Sequence, residues 1–148
     1  MKTIELKSSF EKLTFDFGDG GKVAVAVDCR DDLINALWAK FKSAQEKIAG
    51  IQNDISGVYE LEELNKYSKL VAEILRDTIV MAIGKKSYEE LLAAAGLGVA
   101  IKPEQANAIM AQVFAEISLA IVERADALNN NKAVHYLQEV ALKNNKAV

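Results

Sequence analysis

The feature that most constrains this chain is a pair of apolar stripes at helical spacing between Asp31 and Gly84. Ile34, Leu37, Phe41, Ala44, Ile48, Ile51 and Ile55 recur at alternating steps of three and four, which places them along one side of a helix. After an interruption at Ser56-Gly57 the pattern resumes with Leu64, Tyr67, Val71, Ile74, Thr78 and Met81. Two such helices joined by a short break fold back antiparallel, so that each stripe covers the other. A long antiparallel helix pair is therefore the expected core.

The segments around this pair supply a small sheet and further helices. Ile4 and Leu6 alternate with Thr3, Glu5 and Lys7, and the same period of two returns at Leu13-Phe15-Phe17 and Val23-Val25-Val27. Period two predicts strands with one buried face. Gly18-Asp19-Gly20-Gly21 between the last two runs is a hairpin signal. The expectation is an antiparallel hairpin or meander of two or three strands over residues 3–27. A hairpin alone is marginal in water, so it must lean on the helices or pair its edge with another chain.

Asp28 to Asp32 predicts an acid-capped start to the first helix. Gly50 predicts a stop or kink within it. The second helix should begin near Tyr59 and end at Gly84, with Ile79 to Ile83 enclosed on all sides. Ser87 and Glu90 fit a capping box for a short helix from Tyr88 to Ala95, ended by Gly96-Leu97-Gly98. Pro103 opens a long helix that carries Met110, Val113, Phe114, Ile117, Ala120 and Ile121 inward and frays at Asn129 to Asn131. A last, weaker helix is expected near Lys132 to Lys143. The sum is a mainly α fold: an N-terminal β-hairpin or meander, then about five helices. Its divisions are a meander over 3–27, a helical body over 31–128 and a C-terminal helical tail over 131–148, within a single domain spanning 1–148. Leu128 to Val134 recurs in near-identical form as Leu142 to Val148, but two copies do not make a repeat protein.

Composition narrows the function classes. The 148 residues are 51% hydrophobic with one proline, which argues for a packed core. A net charge of −3 supplies no basic field for a phosphate backbone, so no nucleic-acid partner is expected. The most apolar run, Ile79 to Ile83, falls far short of the roughly 20 residues of a membrane crossing. With no N-terminal signal pattern and a lone cysteine, Cys29, a soluble cytoplasmic protein is expected.

No motif carries chemistry. Asp16-Phe17-Gly18 spells a kinase tripeptide without the companion motifs. Gly96-x-Gly98 lacks a third glycine and follows a helix. Asp16 and Asp19 lack the other ligands of a calcium loop. His135, the only histidine, has no second imidazole with which to bind zinc or build a triad, and Cys29 lies over a hundred residues from it. Glu62-Glu63 and Glu89-Glu90 read as solvated helix faces. The expectation is no enzyme, no catalytic residue, no cofactor and no metal.

The layout of a short β-hairpin followed by a helical remainder resembles the tail assembly chaperones of long-tailed phages of Gram-positive bacteria. The local likeness is Ile83-Gly84-Lys85-Lys86-Ser87-Tyr88-Glu89-Glu90-Leu91-Leu92, followed by Pro103 opening a long helix. The resemblance implies a self-associating helical protein, in the host cytoplasm, that keeps the long tape-measure protein soluble during tail assembly. Such a role needs apolar helix surface or a groove that accepts a helix. The aromatic candidates for it are Trp38, Phe41, Tyr59, Tyr67, Phe114 and Tyr136. Trp38 reads either as a core residue or as a partner-facing anchor. The alternative is a non-enzymatic helical module of another setting, such as a virion connector part or a small bacterial regulator.

Overall fold

The computed structural model describes residues 1–130, 137 and 139–142. The chain opens with an antiparallel hairpin, β1 (Phe10–Asp16) and β2 (Lys22–Asp28), joined by a 3-10 turn at Gly18–Gly20. Four helices follow: α1 (Ile34–Asp54), α2 (Leu61–Ile83), α3 (Lys85–Ala95) and α4 (Asn107–Asn129), the last entered through a 3-10 turn at Pro103–Ala106. Helical backbone returns at Leu137 and over 139–142 as a fifth helical segment. The mainly α class with an N-terminal hairpin is therefore the observed one.

The register of the hairpin sets Leu13 opposite Val25 and Phe15 opposite Val23, and the inner face of β2 buries Val25 and Val27. This face packs on α2, α3 and α4. The turn needs its glycines, since Gly18 and Gly21 hold φ of 66° and 87°. Asp16 Oδ1 accepts the Gly18 N–H at 2.9 Å, and the Phe17 N–H donates to the Gly21 carbonyl at 2.9 Å, which closes the hairpin. The expected first strand does not form: residues 1–8 carry no strand, and Ile4 and Leu6 are 71% and 88% exposed. The segment has the alternation of a strand but, among the described residues, no strand pairs with it.

The helix pair forms, with its turn around Gly57 at φ 85°. Lys40 and Ala44 of α1 lie beside Asp77 and Thr78 of α2, whereas Ile48 and Gln52 lie beside Val71 and Leu75, so the two run antiparallel. Asn129 Nδ2 donates to Asn35 Oδ1 at 3.1 Å, tying the end of α4 to the start of α1. Thus α1 runs against both α2 and α4. The core between them holds Phe41, Leu75, Ile79, Met110, Ile117 and Ile121, which join the inner hairpin residues in one cluster.

Several local expectations are corrected. No acid caps α1: its N-cap is Leu33, and Asp28 instead grips Arg30, whose Nη2 lies 2.8 Å from Asp28 Oδ2. Gly50 neither stops nor visibly divides α1, which runs to Asp54. The end of α2 is not enclosed, because Met81 is 49% exposed. The buried side of α2 comprises Ala72, Leu75, Thr78, Ile79 and Ala82, and the two alanines count there because they let neighbours approach closely. Thr78 is tolerated inside because its hydroxyl donates to the Ile74 carbonyl at 2.6 Å. No capping box forms at Ser87: α3 begins at Lys85, directly after Gly84, whose φ of 89° turns the chain between the two helices. The expected helix at Lys132 to Lys143 falls largely outside the described residues, as does His135.

Candidate functional site

α4 explains the surface. Between Asn107 and Val122 it carries one ionisable residue, Glu116. Met110, Val113, Phe114, Ile117, Ala120 and Ile121 are buried as the stripe predicts. A second stripe, Ala108, Ala111, Ala115 and Leu119, follows the same helical spacing on another side of α4 and is exposed. Leu119 is 53% exposed. A helix that is apolar on two sides has one side more than its own core covers.

That second stripe forms one wall of a groove of about 670 Å³. Ile48 and Ala49 of α1 and Val71 and Leu75 of α2 complete the apolar lining, with Phe114 at the base. Gln45, Gln52, Ser118 and Asn107 are its polar members, and among the described residues no ionisable side chain lines it. From Asn107 to Val122 the wall is about 22 Å long at the rise of an α-helix, which matches four turns of a docked helix. The alanine wall suits close helix packing, since interaxial distances of about 8–10 Å require small residues at the contact.

At one end of the groove Asn107 Nδ2 donates to the Ser68 carbonyl at 2.9 Å, which fixes the amide orientation. Its Oδ1 is buried and, among the described residues, accepts no hydrogen bond.

The aromatic candidates do not gather into one site. Phe41 is 1% exposed and its ring stacks on Phe114 at 4.9 Å with 20° between planes, so it is a core residue and its place among the partner-facing candidates is corrected. The reason is that the α1 stripe is covered on this side by α4. Phe114 is also mostly buried, at 8% exposed, yet it reaches the groove as part of its base. Trp38 is 41% exposed, with Lys42 Nζ 5.7 Å from the ring centroid, and lies outside the groove. Tyr59 is 92% exposed in the α1–α2 connection, and Tyr67 is half-buried on α2. Tyr136 lies outside the described residues. The exposed wall of the groove is formed by the alanines of α4 and Leu119.

The titratable groups lie elsewhere. Cys29 is 3% exposed, and burial pushes its thiol pKa up against the opposing pull of Arg124, which disfavours a nucleophilic thiolate. Tyr88 is likewise pushed up by burial. Among the described residues no group of three or more His, Cys, Asp or Glu could hold a metal ion. No family profile, no characterised protein and no solved structure matches the chain.

Proposed function

We propose that this chain is a phage tail assembly chaperone that binds and solubilises the tape-measure protein in the cytoplasm of the infected host. The observation that carries the reading is the uncharged groove between α1, α2 and α4, walled by the second apolar stripe of α4. A long helical, partly apolar client aggregates when its own apolar stripe is unpaired. A groove of about four helical turns covers such a stripe one segment at a time. Without ionisable groups in its lining, the groove leaves no charge to be desolvated when the helix enters. The activity is reversible capture, with no covalent step.

The test is titration of the full chain with helical segments of the tape-measure protein encoded beside its gene, followed by calorimetry. Ala111→Arg places a charge on an exposed position of the groove wall. It should leave the fold intact and weaken capture about thirty-fold or more, equivalent to roughly 2 kcal/mol. Failure of the parent chain to bind any such segment would refute the tape-measure role. Binding that Ala111→Arg leaves unchanged would remove the groove as its site. Capture by the same groove of an uncharged helix from an unrelated partner, with no tape-measure gene alongside, would move the chain to the wider class of helical interaction modules.

A further inference from the structure

The fifth helical segment leaves apolar side chains uncovered, with Leu137 66% and Leu142 59% exposed. At helical spacing Val134, Leu137 and Ala141 fall on one side of this stretch of sequence, and Lys132, Glu139, Lys143 and Lys146 fall on the opposite one. The chain thus carries two unpartnered apolar surfaces. One is this stripe. The other is the groove between α1, α2 and α4, whose lining among the described residues holds no ionisable side chain.

The end of α4 connects them. Asn130 closes the helix, its backbone N–H and its Nδ2 both donating to the Asp126 carbonyl at 2.9 and 2.8 Å, and the chain turns there. The near end of the groove, at Val122, lies about 10 Å back along α4 from Asn129. The seven residues from Asn130 to Leu137 span up to about 25 Å, so Leu137 reaches the groove when the chain doubles back. A path is also laid out on α1. Gln45, Ala49 and Gln52 line the groove, and helical spacing sets Trp38 and Lys42 on the same exposed side. Trp38 lies one turn from Asn35, which Asn129 holds at 3.1 Å, so it stands between the exit of α4 and the groove.

We infer that residues 131–148 fold back past Trp38 and lay Leu137 and Ala141 in the groove of their own chain, as a tethered plug. Tethering presents the segment to the groove at an effective concentration of about a millimolar, without any new contact. A helix arriving from outside must displace it, so the thin stripe of the tail sets a threshold that only a longer or more apolar helix passes. The inference rests on the groove and not on the identity of its client.

Thiol labelling of the full chain tests it. A cysteine replacing the exposed Ala111 on the groove wall is shielded when the plug is seated, while Cys29, 3% exposed, stays protected as a control. Adding Leu137→Asp to Ala111→Cys should speed maleimide labelling about tenfold, and Leu142→Asp, off the docked side, should leave it unchanged. The protection should also survive dilution. A synthetic peptide of residues 131–148 should bind the Leu137→Asp chain about tenfold tighter than the parent, and Ala111→Arg in that background should remove the binding. Labelling indifferent to Leu137→Asp, or equally sensitive to Leu142→Asp, overturns the inference. So does a peptide that binds parent and variant alike or neither, and protection that fades on dilution places the segment on another copy instead. Neither measurement contains a tape-measure segment, so these failures leave the proposed client untouched.

Discussion

Truncating Phe41 separates a core residue from a docking residue. Its ring is 1% exposed and stacks on Phe114 at 4.9 Å, beneath the base of the groove. Phe41→Ala removes a buried aromatic ring and leaves a cavity bounded by α1 and α4, for which about 3–5 kcal/mol of destabilisation is expected. For a chain of this length each kcal/mol moves the midpoint by roughly 2–4 °C, so Tm should fall by about 6–20 °C. Tyr59→Ala, at a position 92% exposed, should stay within about 0.5 kcal/mol of the parent. Urea unfolding read by circular dichroism and by the fluorescence of Trp38, the single tryptophan, measures both. A cycle of Phe41→Ala, Phe114→Ala and the double variant should give a coupling of about 1 kcal/mol from the stacked pair. The reasoning is refuted if Phe41→Ala unfolds within about 1 kcal/mol of the parent while losing partner binding. That result would make Phe41 a surface anchor.

Other substitutions probe the backbone and the charges. Gly50 lies inside α1 with open space where a Cβ would stand, so Gly50→Ala should stabilise the chain by about 0.5–1 kcal/mol and raise Tm. A Cβ at Gly20 would collide with the Ala94 carbonyl oxygen of α3, a backbone atom that cannot swing aside. Gly20→Ala should therefore cost about 2 kcal/mol or more, and amide exchange should show the hairpin loosening first. The Arg30 guanidinium, by hydrogen bonding to Asp28, holds the Asp28 carboxyl below its ordinary value. A depressed folded pKa means stability that is present above the unfolded value and is lost as pH falls through the folded one. Acid titration of unfolding below about pH 4 should show a small loss in the parent that is absent in Asp28→Asn.

Where one period dominates, the sequence was readable. The stripe from Ile34 to Ile51, apart from the half-buried Ile48, and the inner stripe of α4 are buried as their spacing requires, and Gly84 takes the positive φ that ends α2. It misled where two local signals competed. Asp28 could cap a helix or hold Arg30, and a bidentate guanidinium contact won. Ser87 and Glu90 fit a capping box, yet Gly84 turned the chain so sharply that α3 could start at Lys85. Ile4 and Leu6 alternate as a strand, but a ladder needs a neighbour, and none pairs with them among the described residues. The groove is not legible from the aromatic residues, because the exposed wall that α4 gives it is mostly alanine. Alanine gives little hydrophobic signal in a periodicity count, although it is what allows a second helix to approach.

α4 is where these strands of reasoning meet. Its span with the preceding turn, Pro103 to Asn129, is 27 residues and apolar enough by composition to cross a membrane. The run singled out in the sequence, Ile79 to Ile83, is much the shorter of the two. Length and apolarity alone do not decide what covers such a helix. Met110, Ile117 and Ile121 are already interlocked with α1, α2 and the hairpin, and Arg124 ties its far end to Ser8 and Glu11. What remains is the strip from Ala108 to Leu119, set between flanking helices rather than facing outward all round. That strip is one wall of a concave groove whose facing walls belong to α1 and α2. The surplus apolarity of α4 thus lies along that groove, between its neighbouring helices.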